Sequence, residues 1–164
     1  VDGGIAELRI ALELDPKNSV TRRNLGNALQ RKGDLDGVIK VHLGALEINR
    51  NDADAHNNLG WLLATGPDRV RDGKRAVEHA TRACELSAWK EAGAIDTLAA
   101  AHAEAGDFAK AVERQKQALD FPAFVAADGE GGRQRLALYA ERKAFRDPAY
   151  IPGEASPPPG EEKP

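Results

Sequence analysis

Two stretches of the chain decide how the rest is read: Asn24-Leu25-Gly26-Asn27-Ala28-Leu29 and Asn58-Leu59-Gly60-Trp61-Leu62-Leu63. They share the frame Asn-Leu-Gly-x-x-Leu and lie 34 residues apart. Within each, the outer leucines fall at i and i+4, the spacing that puts both on one face of a helix. Outward from them, Ala11-Leu12-Glu13-Leu14 returns as Ala45-Leu46-Glu47-Ile48, again 34 residues on. A fixed period of this size marks a chain of stacked supersecondary units, each unable to bury its apolar face alone.

The period lengthens once. Gly33-Asp34 returns as Gly106-Asp107, five residues beyond two periods. Val38 aligns with Ala76 at a separation of 38, and Ala76 with Ala111 at 35. Four extra residues therefore fall within Gly66 to Lys74, and one more near Trp89. Loops accept such growth because closure entropy rises slowly with length. The two Gly-Asp pairs read as a left-handed glycine that ends one helix, followed by an aspartate that caps the next.

Pro16, Pro67 and Pro122 divide the first 147 residues, and the other six prolines lie at or beyond Pro148. Proline breaks helix interiors, no stretch alternates in the manner of a strand, and the intervals are rich in alanine and other good helix formers. The chain is expected to be all-α to about residue 145. Net charge is −3, with 41% hydrophobic and 30% charged residues. That balance excludes a chain dominated by nucleic-acid or membrane electrostatics. A lone cysteine, Cys84, excludes an intrachain disulfide and a cysteine-based zinc site. No apolar run approaches the ~20 residues of a membrane helix, and no signal-peptide pattern opens the chain. A cytoplasmic location is the expectation, with Val1 at the first position read as a mark of processing or excision.

The 34-residue helix-turn-helix unit resembles the tetratricopeptide repeat (TPR). The family's first helix carries Trp-x2-Leu-Gly-x2-Tyr, and its second Ala-x3-Phe-x2-Ala. One unit here has Arg22, Leu25, Gly26 and Leu29, then Val38, His42 and Ala45. The next has His56, Leu59, Gly60 and Leu63, then Ala76, Ala80 and Ala83. The third has Ile95, Leu98, Ala99 and His102, then Ala111, Gln115 and Ala118, with Pro122 beyond. The departures are the missing aromatics and Ala99 in a glycine position. The resemblance implies a right-handed α-solenoid of stacked hairpins. Its expected division is a partial first repeat (3–18), repeats at about 19–52, 53–91 and 92–122, a linker and capping helix (123–147) and a disordered proline-rich tail (148–164). The capping helix is expected over 133–144, with Gly129 to Gly132 as a flexible linker. The stretch from Leu136 to Asp147 and the long loop after Trp61 look like elements of some bacterial multidomain proteins, planctomycete ones among them.

No catalytic constellation is present in the sequence. His42, His56 and His102 occupy ring positions of the repeat and read as rings replacing rings; His79 reads as exposed. Cys84 reads as a small buried group, and Asp52-Ala53-Asp54 as a helix start. Arg69, Arg71, Lys74 and Arg75 alternate with Asp68 and Asp72, which reads as a solvated loop with local ion pairs. No metal, cofactor or catalytic residue is expected, and the chain is not expected to be an enzyme.

By the resemblance, first helices line a concave peptide groove. Its expected residues are Arg23, Asn24, Asn27, Asn57, Asn58, Trp61 and Asp96, running from a basic end to an acidic one. Arg23, Asn27 and Asn58 fall where chaperone-binding members place part of a carboxylate clamp. Asn24 and Asn58 start a ladder like that of O-linked N-acetylglucosamine transferase arrays. Trp61 is either a binding anchor or packed against its surroundings. The expected function is an interaction scaffold or adaptor for a protein or peptide, without nucleic-acid or membrane partners. Two alternatives stay open. One is a regulatory C-terminal region of a larger bacterial enzyme, a kinase or transferase; the other is self-assembly into a homo-oligomer through an open N-terminal face presenting Ile5, Leu8 and Leu12.

Overall fold

The computed structural model describes residues 2–150, and those residues form eight α-helices and one short 3-10 turn with no strand. The helices are α1 (Asp2–Leu14), α2 (Ser19–Lys32), α3 (Leu35–Ile48), α4 (Ala53–Thr65), α5 (Gly73–Leu86), α6 (Ala92–Glu104), α7 (Phe108–Leu119) and α8 (Pro122–Ala140). The turn is Pro148–Tyr150. Consecutive helices pack as hairpins, α2 with α3, α4 with α5 and α6 with α7, and α8 covers α6 and α7.

Local chemistry sets the boundaries. Gly33 and Gly106 sit at φ of 78° and 83°, a region that side chains other than glycine rarely adopt. Asp34 and Asp107 then cap α3 and α7, accepting from the Gly37 and Lys110 amides. Asn18, Asp52 and Asp72 cap α2, α4 and α5 in the same way. Each such cap stabilises its helix by ~1 kcal/mol. The loop from Gly66 to Asp72 is the four-residue expansion, and it is held in place. Asp72 donates its amide to the Leu63 carbonyl at 3.0 Å, and Arg71 Nη1 reaches the Gly66 carbonyl at 2.8 Å. The single extra residue near Trp89 is absorbed by a left-handed turn at Ala88 and Trp89, with φ of 51° and 60°.

Close approach is set by small residues. A Cβ on Gly26 would stand 3.3 Å from the ring of His42, and one on Gly60 3.2 Å from both Ala80 and Thr97. Ala45, Ala83 and Ala118, on the second helices, are all buried. The core falls into two clusters that divide at α4. Leu62 joins Leu25, Leu29 and Val38, while Leu63 joins Ala76, Ile95 and Leu98. Buried Arg22 on α2 pairs with Asp52, the residue that also caps α4, so one carboxylate links the two first helices.

Three expectations need correction. Gly129 to Gly132 is not a flexible linker: it lies inside α8, which kinks at Asp128 (φ −148°, ψ 32°). Gly129 and Gly132 are buried there, and a Cβ on Gly132 would stand 3.0 Å from Leu119 and Phe124. Gly132 lets α8 lie close on Leu119 and Gln115 of α7. The N-terminal face is not as open as expected. Ile5 is buried, and Leu8 and Leu12 pack on the cluster around Leu25, leaving Ile10 and Leu14 as the exposed large apolar residues of α1. The proline-rich tail starts with structure, because Pro148 to Tyr150 form the 3-10 turn; its remainder, 151–164, lies outside the described residues.

Two substitutions test the packing. Gly60→Val should lower unfolding stability by ~1–3 kcal/mol through overpacking against Ala80 and Thr97. Gly44→Ala, where nothing lies within 4 Å of the new methyl, should raise it by ~0.5–1 kcal/mol. Urea titrations of both variants give the two signs.

Candidate binding groove

The first helices of the three hairpins, α2, α4 and α6, present one face, and the polar side chains with which it lines two recesses come from α2 and α4. Arg23, Asn24 and Asn27 are exposed on α2; Asn57 and Asn58 are half-buried on α4. Arg23, Asn27 and Asn58 meet around a recess of about 40 Å³ that Gln30 and His42 also line. A second recess of about 110 Å³ adjoins it, lined by Ser19, Arg22, Arg23, Asp54, Asn57 and Asn58. Asn24 is not among the lining residues of either. The structure thus brings four of the seven expected residues together between α2 and α4.

Of the remaining three, Asn24 lines neither recess, and Asp96 and Trp61 are engaged elsewhere. Asp96 is not a groove residue: it is buried on α6 beneath α8. Its Oδ1 accepts from Arg135 Nε at 2.9 Å and from Gln115 Nε2 at 2.6 Å. Burial pushes the Asp96 carboxyl up, against the opposing pull of Arg135 and Gln115. The expected acidic end of the groove is therefore neutralised internally. Glu104, the other acid on α6, pairs with Arg71 at 3.1 Å and with Arg146 at 2.8 Å.

Trp61 lies on the face, half-buried, and it is covered by the chain's own C-terminal segment. Its Nε1 donates to Asp147 Oδ2 at 2.8 Å, and its ring meets that of Phe145 at 5.9 Å. The Arg135 guanidinium stands 5.6 Å from both ring centroids, a cation–π arrangement. Asp147 also donates its amide to the Thr65 carbonyl at 3.1 Å, and Tyr150 packs on the cluster around Leu25 and joins the lining of the smaller recess. Sequence reasoning missed Arg135, Phe145, Asp147 and Tyr150. The signal that could have found them is density of aromatics: Tyr139, Phe145 and Tyr150 are three of only eight in the chain.

The histidines are not equivalent. His42 is buried under Gly26, and burial, then the neighbouring Arg22, lowers its pKa to about 4. His79 is half-buried rather than exposed, its Nδ1 facing His56 Nδ1 at 2.9 Å; burial, then His56, lowers its pKa. Cys84 is fully buried, and burial pushes its thiol up to about 11. Among the described residues, no group of three or more His, Cys, Asp or Glu side chains converges on a metal-sized site. Among the same residues, no helix is long and apolar enough to cross a membrane.

Hairpins in register, an inner face of first helices and a capping helix define a TPR-like α-solenoid. Two crystal structures of MamA are similar to it at 23% sequence identity. One aligns over 86% of this chain and 85% of its own, with a TM-score of 0.61; the other aligns over 86% and 79%, with a TM-score of 0.60. At that identity the likeness shows the fold alone. No family model and no curated protein matches the sequence.

Two outcomes test this geometry. Arg135→Met strands the Asp96 carboxylate and should cost ~3–5 kcal/mol, while Arg135→Met/Asp96→Leu should cost distinctly less than the single change. His42 gives a pH signature. The unfolded imidazole takes up a proton near its ordinary 6.5, whereas the folded one resists to about 4. Its contribution is complete above pH 6.5 and is lost as pH falls toward 4, amounting to about 2 kcal/mol by pH 5. Unfolding curves at pH 7 and pH 5 should therefore converge for His42→Leu by that amount relative to the wild type.

Proposed function

We propose that the chain is a protein-interaction scaffold that holds an extended peptide in the groove along α2, α4 and α6. The observation that carries this reading is that the face accommodates a chain segment across three helices: residues 144–150, irregular to Asp147 and then a 3-10 turn, lie along it. Beyond that segment, the side chains of Arg23, Asn27 and Asn58 surround a polar recess, and Asn57 Oδ1 and His42 Nδ1 are buried there without a hydrogen-bonding partner. Amide side chains can pair with a peptide backbone without reading its sequence, and Arg23 favours a carboxylate or carbonyl at the α2 end. This supports the backbone-pairing role of Asn58 and a one-sided version of the clamp. The basic partners that a complete clamp would need on α6 are absent, because Gly93 and Thr97 occupy those positions.

Self-assembly is the second reading, and the exposed Ile10 and Leu14 on α1 favour it. Concentration-dependent mass in sedimentation separates the two: a peptide-binding monomer keeps one mass across the series.

The groove reading predicts that a partner captured from extract of the source cell by the wild type is lost by Arg23→Ala/Asn27→Ala and by Asn58→Ala. These positions are exposed or half-buried, so circular dichroism of the variants should match the wild type. Retention of the same partners by both folded variants would place binding elsewhere.

A further inference from the structure

Resting on that groove reading, we infer that residues Ala144–Tyr150 are the groove's resident ligand, and that a partner enters by displacing them. The partner chemistry this fits is a non-helical segment with an aromatic residue two positions before an acidic one.

The path of the chain makes the case. After α8 the backbone reverses at Arg142, which adopts φ of 59°. Arg142 donates its amide to the Tyr139 carbonyl and Lys143 to the Leu138 carbonyl, at 3.0 and 2.8 Å, the bonding of a left-handed helix stop. The segment then crosses the first helices in reverse order. Arg146 pairs with Glu104 on α6, Phe145 and Asp147 engage Trp61 on α4, and Tyr150 packs against α2.

The grip combines side-chain recognition with partial packing of Phe145 and Tyr150 against the edges of the two core clusters. Phe145, Arg146, Asp147 and Tyr150 are each half-buried. Among the described residues, the Asp147 amide is the one backbone group of the segment that bonds to the solenoid, at Thr65. That carbonyl belongs to the last turn of α4, which leaves it without an intrahelical partner. Asp147 Oδ1 folds back to the Ala149 amide at 2.9 Å, so the Asp-Pro turn presents its other oxygen to the indole. A peptide site built on a tilted ring-to-ring contact, one indole-to-carboxylate bond and one backbone bond is sequence-selective and reversible.

Occupancy in cis follows from the short tether. A segment joined by a few residues to the end of α8 experiences an effective concentration on the order of millimolar. An external peptide competes against that, and its apparent affinity falls in proportion to the fraction of chains with the groove open.

The test uses the full chain with Trp89→Phe, which leaves Trp61 as the only tryptophan. The release variant adds Phe145→Ala/Asp147→Ala, both in the segment and not in the groove. The probe is a synthetic peptide of the sequence of residues 144–150, acetylated and amidated, with a version carrying alanine in place of the aspartate. The expected result is a red-shifted Trp61 emission in the release variant, reversed by the probe. Binding of the probe should be at least tenfold tighter to the release variant than to the parent, and weakened at least tenfold by the alanine version. Equal binding to both chains, or binding to neither, would overturn the inference. So would a wild-type dimer with exchanged segments. Hydrogen exchange on the unmodified chain gives a second readout. Release requires the Asp147 amide to exchange much faster than the amides of α4 and α6, and co-exchange with them would make the segment part of the core. If the probe binds as expected but no partner depends on Arg23, Asn27 or Asn58, the scaffold reading fails alone. If a partner depends on those residues but binds parent and release variant equally, the displacement inference fails alone.

Discussion

The Arg135 guanidinium joins more of this molecule than any other group described above. It bonds Asp96 on α6 at 2.9 Å and Asp128 at the kink of α8 at 2.6 Å, and it stands over the rings of Trp61 on α4 and Phe145 in the C-terminal segment. A planar cation with five donors can satisfy two carboxylates and still offer its face to aromatic rings. Burying that charge is tolerable only because every side of it is occupied. The kink at Asp128 is part of the same arrangement, since it carries a carboxylate to the far side of the guanidinium. Capping helix, inner face and C-terminal segment are thus held in one arrangement by one side chain.

Elsewhere the array depends on small volumes. Gly26 lies against His42, Gly60 against Ala80, and alanines fill the interfaces where larger repeats would place aromatics. The chain offsets its poverty in aromatic residues by bringing helices closer together. Of its eight aromatics, Trp61, Phe145 and Tyr150 lie along the seam between the first helices and the segment that crosses them, while Tyr139, Trp89, Phe108, Phe121 and Phe124 belong to or pack against the larger core cluster.

That seam gives the groove two unlike halves. Toward α6 it is closed by α8 and by residues 144–147, and its acids are paired. Toward α2 it is polar and open, with Arg23, Asn27 and Asn58 around a recess. A gradient from basic to acidic does not survive this closure. What remains accessible is a basic and amide-lined end next to a segment held mainly by side chains.

The helical period, the hairpin turns at Gly33-Asp34 and Gly106-Asp107, the placement of both insertions and the small-residue contacts were legible in the sequence. Each is a local property, written in residues a few positions apart or repeated every 34. Arg23, Asn27 and Asn58 were legible too, because repeat register carries a residue to a helix face. Asp96 was not: register places it on the same face, but only α8, arriving from 39 residues downstream in the form of Arg135, buries it. Trp61 and Asp147 are 86 positions apart, and nothing in the period of either stretch announces that they meet. The sequence by itself determined the helices, their order and their stacking, since those depend on short-range propensity and a repeated pattern. Only the tertiary structure decided what crosses the face of the first helices, because that contact joins the repeating part of the chain to a part that does not repeat.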